Sequence, residues 1–169
     1  MSAVVPGRFT AKTDEPFVVF LIGMRVNRFR SFRKWWAVAN AMPPMIETLM
    51  RHPEKGCLGA ESFFRVWPLT TILVSYWRSF EDLERFARSK DEPHLAAWRD
   101  FNRLVGGDGT VGIWHETYLV PAGGYEAVYG NMPIFGLAKA TEHVPATGRR
   151  ETARRRLGGD NEPAVPTVA

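Results

Sequence analysis

The side chains best suited to acid–base chemistry in this sequence are its four histidines, His52, His94, His115 and His143. An imidazole exchanges protons near neutral pH and is also a common metal ligand. None of the four stands at a familiar metal-binding distance in sequence from another ligand-type residue. His115 and Glu116 are neighbours on a predicted strand, so their side chains point to opposite faces. We therefore predict no metal site.

His94 lies in the first turn of a predicted helix, four residues before Trp98. The positive end of the helix dipole disfavours an imidazolium there, and a neutral His94 can accept a proton. A separation of four residues places the imidazole and the indole on one helix face, at the rim of an apolar region. The position fits a general base, and it fits equally a half-exposed histidine at a helix start.

His115 alternates with apolar residues along a predicted strand. It shares a face with Val111, Ile113 and Leu119, so it is expected to be buried against an apolar layer and hydrogen-bonded there. If that layer is the helix side of the sheet, His94 and His115 converge on one cavity. The alternative is a buried histidine whose ring is satisfied by a backbone carbonyl.

Aromatic and methionine side chains supply candidate pocket walls. No Walker loop, dinucleotide-binding glycine fingerprint, HExxH or Gly-x-Ser-x-Gly motif is present, so the site is predicted from constellations alone. Core packing or a dimer interface is the more frequent role of such aromatic and methionine side chains. The predicted catalytic residues are His94, His115 and Trp98, and the predicted substrate-binding residues are Trp77, Tyr76, Tyr118, Tyr129, Asn131, Met42 and Met45.

The predicted strands follow from apolar runs of strand length. Residues 17–26 are apolar and rich in β-branched side chains, as in a strand buried on both faces. Residues 56–66 and 70–78 form an antiparallel pair across Trp67-Pro68, and residues 110–120 form a fourth strand.

Three helical segments separate these strands. Residues 31–42 have helical spacing, and Pro43-Pro44 predicts a kink or break before a second piece over residues 45–50. Ser79 begins a short helix, and another runs from residues 91–93 to a stop at Gly106-Gly107. The element order is β-α-β-β-α-β, so the predicted fold is α+β: a ferredoxin-like sheet with helices on one face.

The strands also predict self-association. The first strand has apolar residues at both odd and even positions, which point to opposite faces of the sheet. The fourth carries Trp114, Tyr118 and Val120 on the face opposite His115. The helices are too few to cover both faces of the sheet. A second copy of the same sheet is the expected cover, which makes the protein a homodimer.

Composition limits the class of protein. The chain has 169 residues, is 45% hydrophobic and carries a formal net charge of +4. One domain with tails is expected, without a membrane partner, because no apolar run is long enough to span a bilayer. The first residues show no secretory signal, so a cytoplasmic location is predicted. The single cysteine, Cys57, excludes an internal disulfide framework and is expected to be a small buried side chain.

The chain is divided by composition into four parts. These are an N-terminal arm (1–16), the ferredoxin-like domain (17–120), an ordered C-terminal extension (121–139) and a disordered tail (140–169). The tail holds two arginine clusters among glycines and prolines, and a solvated tail is preferred to an anion- or RNA-binding arm. No nucleic-acid motif accompanies the arginines, so no nucleic-acid partner is predicted.

Two stretches carry a family resemblance. The segment from Tyr76 to Leu83, followed by Pro93 to Trp98, resembles the "strand, Trp-x-Ser, acidic helix, His-x-x-x-Trp" stretch of the dimeric α/β-barrel superfamily, which includes the antibiotic-biosynthesis monooxygenases. More closely, GIWHETY at residues 112–118 with YEAVYGNMP at residues 125–133 resembles a family related to a fungal polyketide-tailoring monooxygenase. The resemblance covers residues 8–137 and implies a dimeric α/β barrel.

The resemblance also implies a function. Members without a cofactor oxidise phenolic or anthrone-like substrates with molecular oxygen, so we expect a monooxygenase-like oxidoreductase acting on a small aromatic or polyketide-like molecule. A base such as His94 would remove a proton, and Trp77, Trp98 or Tyr118 would hold the carbanion in a dry pocket. The alternatives are a haem enzyme with His115 or His94 as axial ligand, and a non-catalytic dimeric binding protein for small aromatic ligands.

Overall fold

The computed structural model describes residues 3–89 and 93–165, with residues 93, 94, 96 and 97 described by their backbone alone. The chain forms two compact units: a helix–sheet unit of residues 18–118, and a terminal unit that combines residues up to 17 with residues from 119 onward. The elements of the described residues are β1 (Arg8–Lys12), β2 (Phe17–Val26), α1 (Phe32–Arg51), β3 (Cys57–Arg65), β4 (Thr70–Trp77), α2 (Phe80–Arg88), α3 (Pro93–Leu104), β5 (Val111–Val120), β6 (Tyr129–Gly130), α4 (Leu137–Ala140), β7 (Glu142–Pro145) and α5 (Ala153–Arg156).

The main sheet has the strand order β3-β4-β2-β5. β4 lies between β2 and β3 and is antiparallel to both, with Val18 opposite Trp77 and Phe63 opposite Ile72. With α1 between β2 and β3, and α2 and α3 between β4 and β5, this is the split βαβ plan of ferredoxin-like proteins. The predicted α+β fold class is confirmed.

α1 runs without interruption through Pro43 and Pro44, so the predicted break between two helical pieces is wrong. Each proline removes one backbone hydrogen bond from the helix. Buried side chains on both sides of the prolines, Trp35 before them and Met45 and Leu49 after them, hold the helix against the unit. Tertiary packing thereby outweighs the local cost of the two prolines.

α2 begins at the predicted serine. The Ser79 hydroxyl accepts a hydrogen bond from the Asp82 backbone N–H at 3.1 Å, which satisfies one of the free amides of the first turn. The Asp82 carboxylate is buried and binds Arg78 Nε at 2.8 Å and Arg85 Nη1 at 2.7 Å. It lies against Gly56, whose φ of +88° and missing Cβ leave room for it.

Two buried clusters join the helices to one face of the sheet. The first contains Val18, Leu49, Cys57, Trp77, Leu83 and Phe86. The second contains Met24, Val26, Trp35, Val105 and Val111. Because β2 and β4 place alternate residues on alternate faces, these members define the helix side of the sheet.

The second face of the same sheet is also apolar. Leu21 and Val74 stand opposite each other in the ladder and are half-buried. Gly23 lies under the Trp114 indole, because a Cβ there would come within 2.8 Å of Trp114 Nε1. Tyr118, at the end of the edge strand, is 52% exposed. Both faces of the sheet therefore present apolar side chains, as the sequence predicts.

The terminal unit is built on a three-stranded sheet with the order β6-β1-β7. β7 pairs with β1 in antiparallel register, and Ala146 beyond it is 1% exposed. The Arg156 side chain is 6% exposed and its Nε donates to Glu126 Oε1 at 2.8 Å. The prediction of a disordered tail from residue 140 is therefore wrong for residues 140–165, which contain a paired strand and a long-range ion pair.

None of the helices described here is both long and apolar enough to cross a bilayer.

Candidate active site

A cavity of about 630 Å³ lies between the sheet and the helices of the helix–sheet unit. Its volume is within the range of small-molecule sites, and its walls are mainly apolar. The sheet contributes Phe20, Ile22, Met24, Leu73, Trp77, Ile113, His115 and Thr117, and the helices contribute Val38, Met42, Met45, Leu49, Leu83, Phe86, Leu95, Trp98 and Phe101.

Trp77 forms part of the floor of the cavity and is 1% exposed. Its Nε1 donates to Ser75 Oγ at 2.9 Å, and Ser75 Oγ donates to the Phe20 carbonyl at 3.1 Å. The indole also contacts the Phe86 ring at a centroid distance of 5.6 Å. The polar groups of the floor are thus satisfied within the protein, and what the floor offers a ligand is apolar surface.

His115 lies on the wall of the cavity contributed by β5. The predicted face is right, but the expectation of a buried, hydrogen-bonded histidine is wrong, because the residue is exposed. Its ring approaches Phe20 at a centroid distance of 5.8 Å and a tilt of 41°. No hydrogen bond or ion pair joins the imidazole to another residue in the described part of the chain, so its nitrogens are accessible to a ligand.

α3 contributes Trp98 to the same cavity. The indole is stacked on Phe101, with centroids 5.6 Å apart and an interplanar angle of 17°, and is 48% exposed. Trp98 and His115 thus line one cavity, whereas the predicted convergence was that of His94 with His115. His94 belongs to the same helix, but its side chain lies outside the described residues, and its predicted role stays a prediction.

The acidic side chains on the cavity wall are engaged elsewhere. Glu84 accepts a hydrogen bond from Arg88 at 3.1 Å, and Asp100 accepts one from Arg103 at 2.9 Å. Both are ion pairs between neighbouring turns of a helix, and the residues are exposed. Among the described lining residues, His115 is thus the titratable side chain that no salt bridge occupies.

Two predicted binding residues lie on the other face of the sheet. Tyr76 is adjacent to Trp77, and Tyr118 is separated from His115 by three positions, so each points away from the cavity. The Tyr118 hydroxyl donates to Glu116 Oε2 at 2.6 Å, and this hydrogen bond raises the pKa of the phenol. Tyr76 and Tyr118 therefore do not line the helix-side cavity, and their predicted binding role stays a prediction.

Tyr129 and Asn131 belong to the terminal unit. The Tyr129 hydroxyl accepts a hydrogen bond from the Ala138 backbone N–H at 3.3 Å, and burial raises the pKa of its phenol. Asn131 Oδ1 accepts from the Gly7 backbone N–H at 2.9 Å, with φ of +52° at Asn131. Within their own unit both side chains hold backbone in place, and their predicted binding role stays a prediction.

Met42 and Met45 do line the cavity, as predicted. Thr117, two residues beyond His115 on β5, is a lining residue that was not predicted, although its parity with His115 places it on the same face. Ala37, Val38 and Ala41 on α1 were also not predicted. Their spacing from Met42 and Met45 is helical, so the apolar stripe of α1 was the available signal.

Cys57 is not a nucleophile in this arrangement. It belongs to the first buried cluster, and burial raises the pKa of its thiol, so the reactive thiolate is disfavoured. Among the side chains that the structure describes, no group of three from His, Cys, Asp or Glu is arranged to hold a metal ion.

The fold and the cavity define a ferredoxin-like α+β protein with an apolar, small-molecule-sized site on the helix side of its sheet. The family model described as Monooxygenase af470-like matches residues 17–137, and the chain belongs to this family. The resemblance predicted from the sequence is thereby confirmed.

The chain is also similar to individual proteins of known name or structure. Monooxygenase af470 of Aspergillus fumigatus is 28% identical over 143 residues, which cover 77% of this chain and 50% of the relative, so the chain spans about half the length of this curated protein. A crystal structure of aldoxime dehydratase is 20% identical, with a TM-score of 0.64 over 86% of this chain and 45% of that chain, and supports the fold. SnoaB, a cofactor-independent oxygenase from Streptomyces nogalater, is 12% identical, with a TM-score of 0.41 over 61% of this chain and 91% of that chain.

Proposed function

We propose that this protein is a monooxygenase-like oxidoreductase that oxidises a small aromatic or polyketide-like substrate with molecular oxygen, without a bound cofactor. The observation that carries the proposal is the apolar cavity of about 630 Å³ with an accessible imidazole, His115, on its wall. Membership of a monooxygenase family supports the reaction class. An apolar cavity favours a hydrophobic substrate, and a lone imidazole within it is suited to remove a proton.

In the proposed reaction a ring-flanked methylene group gives up one proton to His115. The carbanion formed adds O₂, making a carbon–oxygen bond, and the imidazolium returns its proton to the peroxide anion. The hydroperoxide then loses its remaining C–H proton together with hydroxide as water. The balance is one CH₂ and one O₂ to one C=O and one H₂O. Trp98, Met42 and Met45 would hold the planar substrate and exclude water from the carbanion.

Oxygen uptake with anthrone as the probe tests this proposal. The purified full chain is expected to consume one O₂ per anthraquinone formed, faster than buffer alone, and to place ¹⁸O from ¹⁸O₂ in the new carbonyl. The absorption spectrum should show no Soret band, and added haemin should not raise the rate. Turnover that appears only with haemin would replace the proposal by a haem enzyme. Binding of anthrone without oxygen uptake would replace it by a ligand-binding protein.

We also propose that two copies pair through the second face of the main sheet, around Leu21, Val74 and Trp114. Light scattering of the full chain is expected to give twice the monomer mass. Val74→Arg places a charge at the centre of this face and is expected to weaken the dimer about 100-fold or more, because the charges of both copies would be desolvated together. Asn102→Arg adds the same charge at an exposed position of α3 and should leave the dimer intact. A monomeric parent chain would contradict the proposed pairing.

A further inference from the structure

A surface at the start of α1 and the end of the β3–β4 hairpin exposes large apolar side chains among arginines. We call it the aromatic–basic patch: Phe29, Phe32, Trp36, Phe64, Val66 and Trp67, with Arg28, Arg30, Arg33 and Arg65. The three residues near α1 are between 50% and 55% exposed, and the three hairpin residues are between 73% and 76% exposed. Such a group of exposed large apolar side chains is unusual on a protein surface and marks a binding surface.

The two halves of the patch are held together. The Phe29 ring lies 6.5 Å from that of Trp67, centroid to centroid, and 5.3 Å from that of Trp35. Trp35 is buried, and its Nε1 donates to the Phe29 carbonyl at 3.0 Å. The Val26 backbone N–H donates to the Leu69 carbonyl at 2.9 Å, which ties the hairpin connection to the end of β2. The exposed rings are therefore mounted on a buried anchor.

The charge of the patch is one-sided. No Asp or Glu occurs between Glu15 and Glu47, a stretch that holds Arg25 and Lys34 as well as the patch arginines Arg28, Arg30 and Arg33. Lys34 is neutralised by Asp108, and this ion pair holds the pKa of the Asp108 carboxyl below its ordinary value. Within the described residues, no ion pair occupies the guanidinium of Arg28, Arg30 or Arg33. The patch thus combines a positive field with exposed apolar surface.

We propose that the aromatic–basic patch docks the protein on a membrane surface that contains anionic phospholipid. Tryptophan and phenylalanine partition into the headgroup region, and arginines add attraction to anionic lipid. A nucleic acid fits the patch less well, because Val66 offers no stacking surface and the Phe32 and Trp36 rings are stacked on each other at 5.5 Å. No membrane partner was predicted from the sequence, because no apolar run is long enough to span a bilayer. That argument concerns a membrane-spanning segment and does not concern docking on a membrane surface.

The position of the patch adds a consequence that rests on the proposed function. Ala37 follows Trp36 on α1 and Phe63 precedes Phe64 on β3, and both Ala37 and Phe63 line the apolar cavity. The same two elements therefore carry the patch and part of the cavity wall. A hydrophobic substrate dissolved in a membrane would reach the cavity beside the docked surface.

Co-sedimentation of the full chain with vesicles tests the docking without any need for catalysis. Vesicles of phosphatidylcholine mixed with phosphatidylglycerol should retain the protein, phosphatidylcholine alone should retain less, and added salt should release it. Arg28→Gln with Arg30→Gln and Arg33→Gln is expected to weaken binding about 100-fold. Trp36→Ser with Phe64→Ser is expected to weaken it about tenfold or more, through lost apolar burial.

The matched control removes the same charge elsewhere. Arg51→Gln with Arg99→Gln and Arg103→Gln changes exposed arginines outside the patch, and vesicle binding should fall far less than with the patch triple variant. Thermal unfolding of every variant checks that the fold is kept. The proposal would be overturned if both triple variants lost vesicle binding equally, or if anionic vesicles did not bind the protein. It would also be overturned if the protein bound a single-stranded RNA and no vesicles. A change of molecular mass in the Trp36→Ser, Phe64→Ser variant would assign the patch to a contact between copies instead.

Discussion

Replacement of His115 by glutamine is expected to lower kcat/KM for anthrone oxidation by about 10²- to 10⁴-fold, the usual contribution of a general base. Glutamine keeps a polar side chain of similar length, but its amide does not accept a proton in neutral water. The apolar walls of the cavity are unchanged, so probe affinity, measured by quenching of tryptophan fluorescence, should change little. The effect should therefore fall on kcat rather than on binding. Oxygen uptake under saturating and limiting anthrone separates the two parameters.

His52→Gln is the matched control for this variant. His52 is exposed, its Nδ1 lies 2.8 Å from Glu54 Oε1, and it does not line the cavity, so its replacement should leave turnover unchanged. Full activity in His115→Gln with loss in His94→Gln would transfer the role of base to the helical histidine.

The parts of the fold that depend on local patterns could be predicted from the sequence. The run of residues 17–26, apolar except for Arg25, matches β2 residue for residue, since a strand covered on both faces has few polar positions. Ser79 and Gly106 mark one end each of α2 and α3, because capping is a short-range effect. The predicted break at Pro43 and Pro44 was wrong because it also rested on a short-range rule. That rule takes no account of the buried side chains that hold α1 on both sides of the prolines.

The candidate site was only partly predictable. The alternation of side chains along the strand placed His115 on the correct face, but it does not show how far a side chain is buried. β5 is an edge strand, and its later residues are exposed. Parity also excludes Tyr76 from the cavity floor once Trp77 is assigned to it, so that correction was available from the sequence alone. The ordered structure of residues 140–165 could not be predicted from the sequence. It depends on pairs such as Arg156 with Glu126, thirty residues apart.

Trp77→Ala is expected to lower the free energy of unfolding by about 3–5 kcal/mol, as for other buried aromatic residues replaced by alanine. The side chain is 1% exposed, it contacts Phe86, and its Nε1 is bound to Ser75. Truncation leaves a cavity and removes the donor to the buried Ser75 hydroxyl. A typical domain is stable by about 5–15 kcal/mol, so the variant should be partly unfolded at modest urea concentrations. Urea unfolding followed by far-UV circular dichroism measures the change.

Trp98→Ala is the control, because it removes the same side chain from a site that is 48% exposed, and its effect on stability should be below about 1 kcal/mol. The pair of variants also separates two roles of tryptophan in the cavity. Trp77 is 1% exposed and its Nε1 is bound within the protein, so Trp77→Phe, which restores most of the volume, should recover most of the stability and keep a KM near that of the parent. Trp98 offers an open ring face to a ligand, so Trp98→Ala should raise KM while the chain stays folded. A large loss of stability in Trp98→Ala, or a raised KM in a stable Trp77→Phe, would contradict the structural role given to Trp77 and the ligand-contacting role given to Trp98.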